Sequence, residues 1–532
     1  MKKSTALLVV LLGLSQFVGA QYFGGKTIPD FNESIQIKKG DQQHLLSTTI
    51  NAGEMSEHLH ILASDDFQGR ETGTEGIEKA AEYISGNLDK LRLPKVGVDN
   101  SHFQNVAFTF TSWATNDVSV GEESYRQLWD YIGFPNKSVS QNIESNEVVF
   151  AGYGIATDTY DDYANKNVSG KTVLVFDGAP EGIAGEEGLA GYEQKRQTAH
   201  EQGAAMLLVI SNDIKAVINA NRRLMVNRVT ELGDKTKMIN SDHTNMLLIS
   251  TTMAKQILGD SEDQVIANRD MIKKTGNPQK AITVSSPMII FNQDVEREVL
   301  VGKNILGYIE GTDLKDELVI VSAHYDHVGV KGDEVYNGAD DNGSGTTTVL
   351  EIAEALVTAK ALKKGPRRSV LCLWMTGEEK GLLGSEYYVN NPVFPIESTV
   401  ADVNIDMVGR WGEEYLTEER PYLYVIGSDR LSSELHDINE SMNQKYSRMI
   451  LDYKYNDAND PNRFYFRSDH YNFAKNGIPA IFYFNGVHED YHRLTDSVEK
   501  IDFNLMEDRG RMIFHTVWQL ANQDKRIEVD KS

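Results

Sequence analysis

The strongest constraint on the fold is an alternation that begins after Asn304, where an apolar run, a glycine-rich turn and an amphipathic helix are followed by further apolar runs. Each run has the length of a buried strand and shows no two-residue alternation: Glu317 to Ala323, Ser369 to Met375, Thr399 to Ile405, Tyr422 to Ile426 and Ile478 to Phe484. Strands buried on both faces have this pattern, which is typical of a parallel sheet covered by helices. We therefore predict an α/β fold with a mostly parallel central sheet.

One helix in this region is especially clear. It follows Gly345, and its residues Val349, Ile352, Ala353 and Leu356 are spaced to form one apolar stripe. The sequence therefore predicts that this stripe faces the sheet.

The chain is longer than one core usually organises, at 532 residues with 40% hydrophobic content. Residues 50–93 have helical patterning, interrupted by a polar, glycine-bearing turn at 64–73. From about Val148 the pattern changes to short β-like runs with one helical stretch, Tyr192 to Gln202. We therefore expect a separate mixed α/β unit ahead of the parallel sheet.

Metal-compatible side chains follow the ends of the predicted strands. They occur in His324-Tyr325-Asp326-His327, in the segment 337–345 around Asp341, in Glu378-Glu379, at Asp406 and at Tyr491-His492. Each motif alone is common on protein surfaces or in turns. Ligands of open α/β sheets bind at the carboxyl ends of the strands, so the shared position favours a functional site.

Two histidines and three carboxylates suffice for two divalent ions that share one bridging carboxylate. Water between such ions loses a proton readily, and a nearby carboxylate outside the metal shell accepts it. The pair Glu378-Glu379 provides one ligand and one base. Asp326 is placed to hydrogen-bond the free ring nitrogen of His324.

Charge and cysteine content exclude several alternatives. The 53 basic and 78 acidic residues give a net charge of −25, which disfavours nucleic acid and anionic membranes as partners. The single cysteine, Cys372, excludes a disulfide scaffold and a cysteine-rich zinc finger. We expect it to be a buried, reduced thiol in a strand.

The first twenty residues resemble a cleavable signal peptide. Lys2 and Lys3 precede an apolar stretch that is too short to span a membrane, and small residues end at Ala20. We find no later stretch that is long and apolar enough for a span. The sequence therefore predicts an exported protein, periplasmic or extracellular and soluble after cleavage.

Taken together, the motifs resemble metallopeptidase family twenty-eight, the co-catalytic di-zinc aminopeptidases. The resemblance rests on five ordered motifs: HxD at His324, GADDNGSG around Asp341, GEE at Glu378-Glu379, NIDMVG at Asp406, and YHRLTDSVEKID from Tyr491. The segments from Gly69 and Ser468 also resemble the family. The resemblance implies a three-layer zinc-exopeptidase fold.

The resemblance also assigns roles to residues. It implies two Zn²⁺ ions, with His324 and Asp406 on one, Glu379 and His492 on the other, and Asp341 bridging them. Glu378 becomes the general base, Asp326 the partner that orients a ligand, and Tyr491 a residue that stabilises the oxyanion. In this family the peptide bond after the bridging aspartate is often cis, which here is Asp341-Asn342.

The central unit resembles the protease-associated domain inserted in many members of this family. The resemblance lies in VVFAGYGIATDTYDDYANKNVSGKTVLVF and the later GAAMLLVI. The expected organisation comprises a signal peptide (1–20), an N-terminal segment (21–49), a first catalytic part (50–130), the insertion (146–279) and a second catalytic part with the metal site (290–525).

The function expected from these motifs is a zinc-dependent exopeptidase, specifically an aminopeptidase acting on peptides. A carboxypeptidase of the same fold is the first alternative, although no clear arginine cluster for a terminal carboxylate is visible. A glutaminyl cyclase and a receptor-like module without catalysis are further alternatives. The complete ligand set disfavours both, and the sequence leaves the oligomeric state open.

Overall fold

The structure is a computed structural model that describes residues 40–183, 185–186, 188–225, 228–238, 243–418 and 420–531. The expected signal peptide, and the N-terminal segment before Gly40, lie outside these residues. The described chain forms two compact units, one built from residues up to Asn105 and from Gly302 onward, the other from Val106–Val301. Among the described helices, none is both long enough and apolar enough to cross a bilayer.

The helices in the described residues are α1 (Gln42–Ser47), α2 (Ala52–Leu62), α3 (Glu75–Lys90), α4 (Gly188–Glu201), α5 (Ile214–Met225), α6 (Thr251–Leu258), α7 (Glu262–Thr275), α8 (Gly345–Ala361), α9 (Leu383–Asn390), α10 (Ser433–Met442), α11 (His470–Ala474) and α12 (Phe503–Asn522). The strands are β1 (Phe103–Val120), β2 (Glu123–Tyr125), β3 (Tyr131–Ile132), β4 (Gln141–Phe150), β5 (Thr172–Phe176), β6 (Met206–Ile210), β7 (Val229–Leu232), β8 (Asn245–Ile249), β9 (Ile282–Ile309), β10 (Leu314–His324), β11 (Gly329–Lys331), β12 (Glu334–Tyr336), β13 (Arg368–Met375), β14 (Thr399–Ile405), β15 (Tyr422–Ile426), β16 (Ile450–Asp452) and β17 (Ala480–Phe484).

The first unit is built on a mostly parallel sheet, as predicted. Its strand order is β16, β15, β17, β14, β10, β13 and the end of β9. Strand β10 lies at the centre, where Val321 pairs in parallel with Cys372 of β13 and with Val403 of β14. Among the described strands of this sheet, the β15–β17 and β13–β9 pairs are antiparallel and the other pairs are parallel. The carboxyl ends of β10, β13, β14 and β17 therefore lie along one edge.

Helices cover both faces of this sheet, which confirms the three-layer architecture. Val319, Val321 and Trp374 face a core shared with α2, α3, α8 and α12. The alternate residues Ile320 and Leu373 face a second core with side chains of α9 and α11. Cys372 is buried and makes no disulfide, as expected.

Helix α8 is more enclosed than its apolar stripe predicts. Val349, Ile352, Ala353 and Leu356 are buried as expected, but so is Glu351. Its Oε2 accepts a hydrogen bond from the Asn51 amide at 3.3 Å. Burial raises the pKa of Glu351 to about 8. Nearby glutamates act in the same direction, whereas the hydrogen bond from Asn51 acts in the opposite direction. The carboxyl group is therefore protonated in the folded protein at neutral pH.

A Glu351→Gln variant should become more stable relative to the parent protein as the pH rises. The pKa of Glu351 is higher in the folded protein than in the unfolded chain, so ionisation of this carboxyl group destabilises the folded parent protein. This destabilisation is absent below the unfolded pKa of 4.5 and complete above about pH 8. At about 1.4 kcal/mol per pKa unit, the difference amounts to roughly 3–5 kcal/mol. Calorimetry at pH 5 and pH 8.5 measures it, with the exposed Glu57→Gln as control. A difference between variant and parent that does not change with pH would contradict the expectation.

The second unit has a mixed α/β composition, as predicted. Strands β4, β5, β6 and β8 are parallel in that order, β3 pairs antiparallel with β8, and the first part of β9 pairs antiparallel with β4. Leu174 and Phe176 of β5 face a core with α6 and α7, while Val173 and Val175 face a core with α4. This unit spans Val106–Val301, whereas the expected insertion covers 146–279.

Candidate metal centre

The five sequence motifs meet at one edge of the first unit's sheet. His324 is the last residue of β10, Asp406 follows β14, and Glu378 and Glu379 follow β13. Asp341 lies in a helical turn just before α8, in which all residues are buried. The loop after β17 brings in Tyr491 and His492, so every predicted site residue reaches this edge.

A first cluster, which we call site A, contains His324, Glu378 and Asp406. His324 Nε2 lies 3.3 Å from Asp406 Oδ1 and 3.9 Å from Glu378 Oε2. Asp406 Oδ2 accepts a hydrogen bond from the Ser468 hydroxyl at 2.8 Å. This hydrogen bond leaves Asp406 Oδ1 facing His324 Nε2, so that the two side chains can bind the same ion.

A second cluster, which we call site B, contains His327, Asp341, Glu379 and His492. His492 Nε2 lies 2.9 Å from Glu379 Oε1 and 3.0 Å from Asp341 Oδ2. All four side chains offer donor atoms within 4.8 Å of one another. Histidine and carboxylate donors in this arrangement suit a divalent ion such as zinc.

Asp341 contacts both sites through different oxygens. Its Oδ1 lies 3.6 Å from His324 Nε2, and its Oδ2 faces His492. The Asp341 amide donates to Asp496 Oδ2 at 3.1 Å, and the Asp341-Asn342 peptide bond is cis, as the resemblance implied. One carboxylate thus faces both donor groups, as a bridging ligand does.

Asp326 orients His324 differently from the expectation. His324 Nδ1 donates to the main-chain carbonyl of Asp326 at 3.0 Å, whereas the nearer carboxylate oxygen is 3.8 Å away. The carboxylate instead accepts the amide protons of Glu378 and Glu379 at 3.1 and 3.3 Å, and the Thr72 hydroxyl at 2.9 Å. The Asp326 side chain therefore positions the loop that carries the predicted base and a ligand.

The electrostatics of the centre reflect closely packed carboxylates and imidazoles. Burial opposes charging of His492, but hydrogen bonds to Asp341 and Glu379 raise its pKa to about 10. Burial raises the pKa of Glu378 well above its usual value. The charges of Glu379 and Asp406 also raise this pKa, whereas the charge of His324 lowers it. Although burial opposes it, His327 and His492 hold the pKa of Glu379 well below its usual value. The pKa values of the two adjacent glutamates are thus shifted in opposite directions.

A small cavity opens beside the centre. Its lining includes Asp341, Glu378, Asp406 and Tyr491 on the polar side. Arg467 also lines it, with Nη2 3.4 Å from the Tyr491 hydroxyl. The remaining lining residues are apolar: Met407, Phe464, Phe482, Phe484 and Val487. A substrate in this cavity would contact both carboxylates and apolar side chains.

Sequence reasoning missed supporting residues that reach the centre from distant segments. The ligand set implied by the resemblance does not include His327, yet this residue lies within site B. Its position directly after the HxD motif was the available signal. Ser468 and Thr72 lie in segments that resemble the family, but neither motif indicated which carboxylate each would contact.

Arg70 fixes the loops that carry the ligands. Its buried guanidinium donates to four carbonyl oxygens, those of Leu62, Tyr325, Asn337 and Gly338, at 2.6–2.9 Å. The last three carbonyls belong to the loops that carry His324 and Asp341. Buried carbonyls that lose their donor each cost about 1–3 kcal/mol.

An Arg70→Lys variant should therefore unfold more easily and bind zinc at least about tenfold more weakly. Loss of a hydrogen bond that supports a metal ligand typically lowers metal affinity by this factor. Thermal unfolding and competition with a chelator measure the two effects. Arg368→Lys is the matched control, because Arg368 is equally buried and donates to Leu520 and Gln523 carbonyls away from the centre. A loss of zinc affinity of equal size in both variants would contradict this role of Arg70.

Two curated aminopeptidases are similar to part of this chain. A probable leucine aminopeptidase of Trichophyton verrucosum is 30% identical over 213 residues, 39% of this chain and 55% of the relative. Aminopeptidase YwaD of Bacillus subtilis is 28% identical over 238 residues, 43% of this chain and 47% of the relative. The chain thus spans about half the length of these curated relatives.

The fold is shared with a solved structure. The aminopeptidase from Aneurinibacillus sp. strain AM-1 superposes with a TM-score of 0.54 over 92% of this chain and 98% of its own, at 18% identity. Residues 304–517 match peptidase family M28, and this segment contains every residue of sites A and B. Over residues 304–517, the chain is therefore similar to peptidase family M28.

Proposed function

We propose that this protein is an exported aminopeptidase that uses two zinc ions to release N-terminal residues from peptides. The observation that carries the proposal is Asp341, whose two carboxylate oxygens face two separate groups of donors. Site A provides His324 and Asp406, and site B provides Glu379 and His492. A bridging carboxylate with two terminal ligands on each side is the donor set of a two-metal hydrolytic centre.

The zinc ions would supply Lewis-acid activation of a water molecule and of the scissile carbonyl. Glu378 lies at site A and lines the cavity. Its carboxylate would accept a proton from the attacking water and return it to the departing amine. The Tyr491 hydroxyl lines the same cavity and would donate a hydrogen bond to the oxyanion.

Cleavage from the N-terminus follows from the charges around the cavity. Its carboxylates attract a cationic amine, and its apolar side suits an apolar first side chain. A carboxypeptidase would require basic groups for the terminal carboxylate. Among the described residues that line the cavity, Arg467 is the one basic side chain, and it stacks over Phe464 at 4.7 Å. We therefore favour the aminopeptidase.

Three forms of one leucine-containing peptide test the proposed direction of cleavage. The peptides carry a free N-terminus and C-terminus, an acetylated N-terminus, or an amidated C-terminus. We expect the free and the amidated peptides to lose their first residue and the acetylated peptide to remain intact. Cleavage of the acetylated peptide together with loss of cleavage on amidation would instead establish a carboxypeptidase.

Two further parts of the proposal concern the rest of the chain. Export rests on the signal-peptide pattern, and N-terminal sequencing of the mature protein should begin at Gln21. For residues 146–279 we propose a protease-associated domain, supported by the sequence resemblance and by the mixed α/β unit that contains them.

A further inference from the structure

His327 has no role in the ligand set proposed above, although it lies in the centre. It follows His324 by three residues and is completely buried. A buried imidazole normally satisfies its ring nitrogens with hydrogen bonds. In the described structure, neither ring nitrogen of His327 makes a hydrogen bond of standard geometry, and Nδ1 instead lies close to carboxylate oxygens of site B. This imidazole therefore needs another explanation.

The ring is directed at site B. Its Nδ1 lies 3.1 Å from Glu379 Oε1 and 3.6 Å from Asp341 Oδ2. The ring of His492 lies on the same site, with ring centroids 5.5 Å apart and planes inclined by 74°. Two imidazoles and two carboxylates thus point their donor atoms at a common volume.

The packing holds His327 in this orientation. Gly338 has a φ of +56°, and a Cβ atom added there would lie 2.4 Å from His327 Cγ and Cδ2. The backbone of Gly338 therefore packs directly against the ring. The His327 amide donates to the Arg70 carbonyl at 3.2 Å, and the Arg70 guanidinium donates to the Gly338 carbonyl at 2.9 Å. The same contacts that shape the ligand loops fix this imidazole.

We propose that His327 is an additional ligand, through Nδ1, of the ion that Glu379, His492 and Asp341 hold at site B. This assignment rests on the proposed two-metal centre and deepens it. A second imidazole makes site B richer in nitrogen donors than site A, where His324 is the one imidazole in the cluster. Imidazole donors favour zinc over manganese, so His327 also raises the preference of site B for zinc.

Zinc titration of the metal-free His327→Leu protein, in the presence of a competing chelator, tests the assignment. One zinc equivalent should bind more than about tenfold more weakly than in the parent protein, since losing even a supporting group around a metal costs about 10–100-fold. The other equivalent should keep its affinity. Competition with Mn²⁺ should show a lower preference for zinc at the weakened site.

His470→Leu is the matched control, because His470 is also completely buried and stacks on Phe482 at 4.8 Å outside both sites. We expect it to keep both zinc affinities. If His327→Leu bound two zinc equivalents with the parent's affinities, the role of His327 would be overturned, but the two-metal centre would stand. A parent protein that binds fewer than two equivalents would overturn the two-metal centre, and this assignment with it.

X-ray absorption of the zinc-loaded parent protein gives an answer even if His327→Leu does not fold. The assignment predicts imidazole scattering from three histidines over two ions, namely His324, His327 and His492. Scattering from only two imidazoles over two ions would overturn the assignment while leaving the two-metal centre intact.

Discussion

Replacing Glu378 with glutamine will lower kcat by about 10²–10⁴-fold, the usual contribution of a positioned general base, while both metal ions stay bound. The amide of glutamine keeps the size of the side chain but cannot take a proton from water. Glu378 shares its loop with Glu379, and Asp326 holds both amides, so the substitution leaves the path of the loop intact. Steady-state kinetics on a free-amine peptide, together with metal analysis of the same sample, measures both effects.

Glu397→Gln is the control for the Glu378 prediction. Glu397 is an exposed carboxylate just before β14, at the opposite end of that strand from Asp406. We expect this control to match the parent protein in kcat and metal content. A Glu378→Gln protein with full metal content and unchanged kcat would show that the base is a different residue.

Replacing Asp341 with asparagine will remove metal and activity together. Asparagine has one oxygen and no charge, so it can neither bridge two ions nor offset their charge. Both sites lose a ligand, because Asp341 Oδ1 faces His324 and Oδ2 faces His492. We expect the weaker of the two zinc ions to be lost on dialysis and kcat/KM to fall at least as far as in the Glu378 variant, that is by about 10²-fold or more.

Metal analysis after dialysis and kinetics with added zinc measure this effect. Asp333→Asn, an exposed position beside β12, is the control for a lost carboxylate. An Asp341→Asn protein that keeps two tightly bound zinc ions would contradict the bridging role. The two variants separate the functions of the centre, since one loses the base with metal retained and the other loses the metal.

The strands of the catalytic sheet could be predicted because each is an uninterrupted apolar run buried on both faces. The limits of β14 and β15 agree with the prediction at both ends. The run expected from Ile478 begins as β17 at Ala480, since Pro479 has no amide to donate to a neighbouring strand. The long strands β1 and β9 have no such run, and in much of β9 buried and exposed residues alternate.

Contacts between distant segments could not be predicted in the same way. Helix α8 is enclosed because α1, α2 and α12 pack on it, and these helices come from both ends of the chain. Likewise, Ser468 contacts Asp406, and Arg70 contacts the loops after β10. The ligand positions followed from the strand ends, but the hydrogen bonds that aim each ligand depend on distances that no local pattern contains.

The most direct test of the two-metal aminopeptidase is zinc titration of the metal-free protein while the release of leucine from a free-amine peptide is followed. The centre formed by Asp341 and its neighbours predicts no activity without metal and a rate that rises until two zinc equivalents per chain are bound. The acetylated peptide should stay intact throughout. Full activity without metal, or equal cleavage of the acetylated peptide, would contradict the proposed function.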